Sequence, residues 1–114
     1  MIENEIFKSS VRSLGDLAGV FEFDGETGYF YLCDQTREPT QKIIDQIRIL
    51  SSKPDFGDRD IVVRWDDSEK RVGLLIRLEL WAVFDVQAKT KYGGDYLPQA
   101  TSTVPAEIAR LFAG

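Results

Sequence analysis

Val20-Phe21-Glu22-Phe23-Asp24-Gly25-Glu26-Thr27-Gly28-Tyr29-Phe30-Tyr31-Leu32-Cys33-Asp34 is the stretch that decides the fold. Phe21 and Phe23 alternate with Glu22 and Asp24, and beyond Gly28 the residues Phe30 and Leu32 alternate with Tyr29, Tyr31 and Cys33. Period-two alternation on both sides of an Asp-Gly pair is the signature of an antiparallel hairpin, because glycine accepts positive φ without a Cβ clash. A four-residue loop, Asp24 to Thr27, sets Phe21 opposite Phe30 and Phe23 opposite Gly28. A two-residue loop keeps the same faces but opposes Phe23 to Glu26, which is poorer cross-strand chemistry. Either way Phe21, Phe23, Phe30 and Leu32 share one face, and Val20, Glu22, Tyr29, Tyr31 and Cys33 share the other.

Downstream, residues 35–39 end in a proline and read as a connector. Thr40 suits a helix N-cap, and Ile43, Ile44, Ile47 and Leu50 then recur at helical spacing. The competing signal is the β-branched alternation Ile47-Arg48-Ile49. The spacing predicts a helix from about Thr40 to Arg48. Ser51 to Arg59 is loop, with Pro54 and Gly57 as breakers.

A meander follows. A polar turn at Asp67-Ser68-Glu69-Lys70 opposes Trp65 to Val72, Val63 to Leu74 and Ile61 to Ile76. A three-residue link at Arg77-Leu78-Glu79 then places Ile76 by Leu80, Leu74 by Ala82 and Val72 by Phe84. The opposite face gathers Val62, Arg64, Gly73, Leu75, Trp81, Val83 and Asp85, partly apolar and open to a cover or a contact. Gln87 to Pro98 is a long glycine-containing segment, and Val104-Pro105 opens a last helix marked by Ile108, Leu111 and Phe112. Residues 1–16 have ragged apolar spacing and read as a loose lead-in with an edge strand or a helical turn. The expectation is one α+β domain spanning 1–114, with its core in 18–98. It has a mainly antiparallel sheet of about five strands, a helix packed on one face, and a short C-terminal helix at 104–112.

With 114 residues, one core is the natural expectation. The lone cysteine, Cys33, cannot form an intramolecular disulfide, which favours a reducing compartment. Met1-Ile2-Glu3-Asn4-Glu5 lacks the basic and apolar regions of a secretory signal, and no apolar run approaches the ~20 residues that span a bilayer. A cytoplasmic protein with no membrane partner is therefore expected. The net charge is −5. Residues 1–60 carry it, with 12 acidic against 7 basic side chains, whereas residues 61–114 hold 7 of each. A nucleic-acid binder shows the reverse balance, since phosphate neutralisation dominates its affinity. An acidic half suits a basic protein partner, or simply solubility.

Histidine is absent. That removes the usual general base, metal ligand and neutral-pH switch. Catalysis would have to rest on carboxylates, Tyr, Lys or Cys33 with strongly perturbed pKa values, and no catalytic residue is assigned. Asp24, Glu26 and Asp34 crowd the hairpin and Asp66, Asp67 and Glu69 the next turn, but neither group has calcium-loop spacing, and turns favour Asp in any case. Neither metal nor cofactor is expected. Asp85, inside an apolar strand beside Trp81, is a raised-pKa acid or a recognition anchor; as a structural residue it accepts bonds from a neighbouring loop. Cys33 has no basic neighbour in sequence and reads as packing. Tyr29, Tyr31 and Trp81 form either an aromatic binding surface or aromatic strand packing. Lys91-Tyr92-Gly93-Gly94 matches no phosphate loop.

The segment Val20 to Tyr31 resembles a bacterial family without assigned activity, domain of unknown function 2251. Ile43-Ile44-Asp45, Val63-Arg64-Trp65, Ala82-Val83-Phe84-Asp85 and Tyr92-Gly93 followed by Pro98 follow in similar order, so the resemblance covers about residues 18–98. In the family pattern a histidine often precedes the Ala-Val-Phe-Asp run and a cysteine follows the later Tyr. Here those places hold Trp81 and Gly93, so no role of those side chains carries over.

Two functional expectations remain. One is a non-enzymatic interaction module, inhibitor or immunity-like, meeting a basic partner or a second copy of itself through an open sheet face. The other is a small-ligand binder or carboxylate-dependent enzyme built on Asp85, Trp81 and Tyr92. The candidate binding residues are Glu22, Tyr29, Tyr31, Trp81, Asp85 and Tyr92.

Overall fold

A computed structural model describes residues 5–113. Alternating apolar residues and short turns produce eight strands in two four-stranded antiparallel sheets. β1 (Ile6–Val11), β2 (Leu17–Phe23), β3 (Gly28–Asp34) and β4 (Ile43–Leu50) form the first sheet in chain order. β5 (Ile61–Trp65), β6 (Arg71–Ile76), β7 (Glu79–Asp85) and β8 (Thr90–Gly93) form the second in the same way. Phe21, Phe23, Phe30 and Leu32 meet Val63, Val72, Leu74 and Phe84 in one buried cluster, with the Phe30 and Phe84 rings 5.1 Å apart. At one side β1 lies against β5, where the Trp65 indole N–H donates to the Ser10 carbonyl at 3.0 Å. At the other, Asp95 and Tyr96 donate their N–H groups to Arg48 and Ile49 carbonyls at 3.0 and 2.7 Å, tying the chain after β8 to β4.

The hairpin has the expected register, Phe21 opposite Phe30 and Phe23 opposite Gly28. Asp24 closes its turn by accepting the Glu26 and Thr27 N–H groups on one carboxylate oxygen, both at 2.9 Å, while Gly25 adopts φ 103. The first link of the meander also holds, pairing Trp65 with Val72, Val63 with Leu74 and Ile61 with Ile76.

Four expectations change. The helix at Thr40 to Arg48 is instead strand β4, preceded by a single 3₁₀ turn at Pro39–Gln41. The β-branched isoleucines and the free edge of β3 outweigh the helical spacing. Ile47 and Ile49 turn inward to 7% and 0% exposure, and the stripe members Ile43 and Ile44 stay 54% and 39% exposed. The sheet helix is therefore absent, and eight strands replace about five. β1, the edge strand that is one of the two readings of the lead-in, takes half of its described residues, residues 1–4 lie outside the described residues, and β8 forms inside the glycine-containing segment, where no strand is expected. The third correction is at the second link. Ile76 faces Glu79, not Leu80, across a two-residue turn in which Arg77 and Leu78 take φ 51 and φ 72. The register then shifts between Leu74 and Leu75, leaving Trp81 as the extra residue of a bulge. Fourth, that bulge turns Trp81 into the main core at 2% exposure instead of onto the opposite face.

Most of the outer face of the second sheet is covered, with Val62 at its β5 edge left 42% exposed. α1 (Ala106–Ala109) runs into a 3₁₀ turn at Arg110–Phe112, and Phe112 joins Leu75, Leu80 and Val83 in a second cluster, with Val104, Ile108 and Tyr92 packed around it. Gly73 makes room for this. A Cβ there would lie 2.6 Å from Leu80 Cδ1 and 3.0 Å from the Phe112 ring.

Candidate binding face

The register of the first sheet aligns three rows across its outer face. They are Phe7–Glu22–Tyr29–Arg48, Ser9–Val20–Tyr31–Gln46 and Val11–Ala18–Cys33–Ile43. Two residues apart on β3, Tyr29 and Tyr31 project to the same side, and their rings stack at 5.9 Å with an interplanar angle of 16°. The face is open. Phe7 is 61% exposed and Val11 47%, and both tyrosines are half-buried.

Its electrostatics are set by the hairpin. Among the described residues Glu22, Asp24 and Glu26 enter no ion pair. Arg48, at the far end of the Tyr29 row, is engaged by Asp95 at 3.2 Å. Backbone N–H groups of Thr27 and Glu26 hold the Asp24 carboxyl below its ordinary range. Burial pushes the Tyr31 phenol up, and the charges of Glu22 and Asp24 add to it. Burial also raises the Cys33 thiol, which makes it a protonated packing group at neutral pH.

Glu22, Tyr29 and Tyr31 are thus brought together, but Trp81, Asp85 and Tyr92 are not. Trp81 stands edge-on to Tyr96 in the core, with ring centroids 4.8 Å apart. Tyr92 pairs with Val83 and packs beneath the C-terminal segment. Asp85, 5% exposed, accepts the Ala88 N–H at 2.9 Å and sits 3.1 Å from Arg71 Nε, an ion contact without hydrogen-bond alignment. The same guanidinium donates to buried Asp66 at 3.0 Å. Burial works to raise the Asp66 carboxyl, yet the bonds from Arg71, Ser68 and the turn N–H groups outweigh it and hold the carboxyl low. A cleft of about 250 Å³ between β4 and β8 has Asp85 in its wall beside Leu32, Ile44, Asp45 and Phe84, and neither Trp81 nor Tyr92 lines it. Among the described residues, no group of three or more His, Cys, Asp or Glu side chains is placed to hold a metal ion, and no helix is long and apolar enough to cross a membrane.

Sequence reasoning missed Phe7, Val11 and Arg48 as members of this face. In Ile-Phe-Lys-Ser-Ser-Val only Ile6 is buried, so an edge strand left no alternation to read. Arg48 was read inside a helix.

A Haemophilus influenzae protein described as "Uncharacterized protein" is 32% identical over 108 residues, covering 86% of this chain and 66% of that protein. The chain therefore spans just under two thirds of the length of the curated relative it matches. No solved structure matches it. A family model covers residues 1–107, and the chain belongs to that bacterial family, described as "Uncharacterized protein conserved in bacteria (DUF2251)".

Proposed function

We propose that this protein is a non-enzymatic protein-binding module, of inhibitor or immunity type, that uses the outer face of the first sheet to hold a basic partner. One observation carries the reading: most of the outer face of the second sheet is covered by the C-terminal segment, whereas that of the first keeps Phe7, Tyr29 and Tyr31 at the surface beside unpaired carboxylates. Half-exposed tyrosines with an apolar surround are what protein contacts concentrate, and a rim of negative charge selects and steers a cationic partner. The ligand-binding alternative has no comparable support, because Trp81, Asp85 and Tyr92 face three different environments.

The test is affinity capture from native lysate with two altered baits, Val20→Glu with Tyr29→Glu, and charge reversal at Glu22, Glu26 and Asp34. A protein retained by the unaltered chain is expected to be lost from both. Equal recovery on both altered baits sinks the reading.

A further inference from the structure

We infer that the Tyr29–Tyr31 pair and Glu22 form the seat for an arginine side chain of the partner. The inference rests on the reading above and names the chemistry at its centre. Two parallel phenol rings offer a π surface to a planar cation, and Tyr29 is the ring nearer the hairpin turn. Glu22 is the cross-strand partner of Tyr29 on the same outer face, its charge is felt at Tyr31, and Asp24 follows at the turn. Neither carboxylate has a cationic partner among the described residues. Phe7 flanks Glu22 on the next strand and supplies an apolar wall for an aliphatic stem.

The only cation in that row, Arg48, is turned to Asp95 and leaves the Glu22 side unopposed. The Tyr31 phenol is raised first by burial, and the charge of Glu22 adds to that shift. A guanidinium suits the seat better than an ammonium. It is planar, stacks on aromatic faces, sheds water more readily, and can still bond a carboxylate with its N–H edge.

The experiment titrates the full chain with short extended peptides bearing a single arginine, lysine or citrulline at one position. Amide shifts and the alkaline titration of Tyr31 are followed together. The arginine peptide is expected to shift the amides of residues 20–22 and 29–31 and to lower the Tyr31 titration, with Tyr31→Phe identifying that phenol. The lysine peptide should bind several-fold more weakly, and citrulline should lose the effect. Glu22→Gln, an isosteric change on an exposed residue, is expected to weaken the arginine peptide about three- to tenfold. Equal binding of citrulline and arginine, shifts elsewhere on the molecule, or an unchanged Glu22→Gln affinity overturns the inference. If the lysate partner is lost on Val20→Glu with Tyr29→Glu while the peptides fail to discriminate, the arginine seat is wrong and the binding face stands. If the peptides discriminate but partner recovery is untouched, the seat exists and the proposed function fails.

Discussion

In the second sheet, Gly73 leaves a dent that Phe112 fills, and Leu75, Leu80 and Val83 vanish under the C-terminal segment. The corresponding surface of the first sheet carries Phe7, Val20, Tyr29 and Tyr31 in aligned rows, and Phe7 is 61% exposed. The two sheets share strand number, connectivity and inner core, so the contrast lies in what each outer face meets. Buried charge follows the same division. Asp66, Asp85 and Arg71 form their network within the second sheet and its turns, while the carboxylates at the tip of the β2–β3 hairpin face solvent. Most of one outer face is covered by the C-terminal segment, and the other keeps large apolar and aromatic side chains at the surface.

The sharpest way to break this contrast is Arg71→Met. It strands Asp66 and Asp85, which are 4% and 5% exposed, without their shared cation. Because Arg71 itself is partly exposed and Asp66 keeps its backbone bonds, the loss should fall at the low end of the range for a broken buried pair, about 3 kcal/mol in urea denaturation. A loss below 0.5 kcal/mol would mean that the network contributes little. Next in size, Phe112→Ala should cost about 2 to 3 kcal/mol, somewhat less than a core Phe deletion because a short terminal turn can relax, and should open the C-terminus to protease. Phe7→Ala on the other sheet should change stability by under about 0.5 kcal/mol. Similar losses for the two would erase the distinction between covered and open faces.

A smaller effect of opposite sign is expected at the second meander turn. Leu78 is 87% exposed at φ 72, so Leu78→Gly relieves left-handed strain and should stabilise by about 1 kcal/mol, read as a higher melting temperature. No gain would show that the turn is not strained.

The pH response should be least near neutrality. A side-chain bond from Arg12 holds Asp16 at about 2, and Asp34, Asp55 and Asp66 are also lowered. Their folded values lie below the unfolded one near 3.8, so this stabilisation is present above about pH 4 and is lost as pH falls through the folded values. Burial, with the bond to Asp55, pushes Tyr96 up to about 12. Folding therefore favours the neutral phenol, and that share of stability is present below pH 10 and lost as pH rises from 10 to 12. Melting temperatures across pH 2 to 11 should show a plateau through 6 to 8, and Tyr96→Phe should soften the alkaline limb. A steep change inside the plateau would reveal a titrating group outside this account.

The proposed binding surface is half legible in the sequence. Glu22, Tyr29 and Tyr31 follow from one hairpin register, because antiparallel pairing and strict alternation fix which side chains share a face. Phe7 and Arg48 could not be read, since each enters the face only through strands whose own sequences lack alternation or mimic a helix. Trp81 was placed on the wrong face because a one-residue bulge inverts everything on its near side, and no glycine or asparagine marks the Arg77-Leu78 turn that forces it.

What the sequence determined by itself is the local pairing of β2 with β3 and of β5 with β6. Each joins alternating runs across a short polar turn, so contacts close in chain supply both the signal and the stabilisation. Only tertiary structure decided β4, β8, the bulge at Trp81 and the seating of Phe112 on Gly73. The isoleucines of β4 satisfy a helical stripe and a strand equally well, and a free sheet edge with a core beneath it settles the matter. The same logic leaves the first sheet's outer face open, because no segment among the described residues is positioned to cover it as Phe112 covers the second.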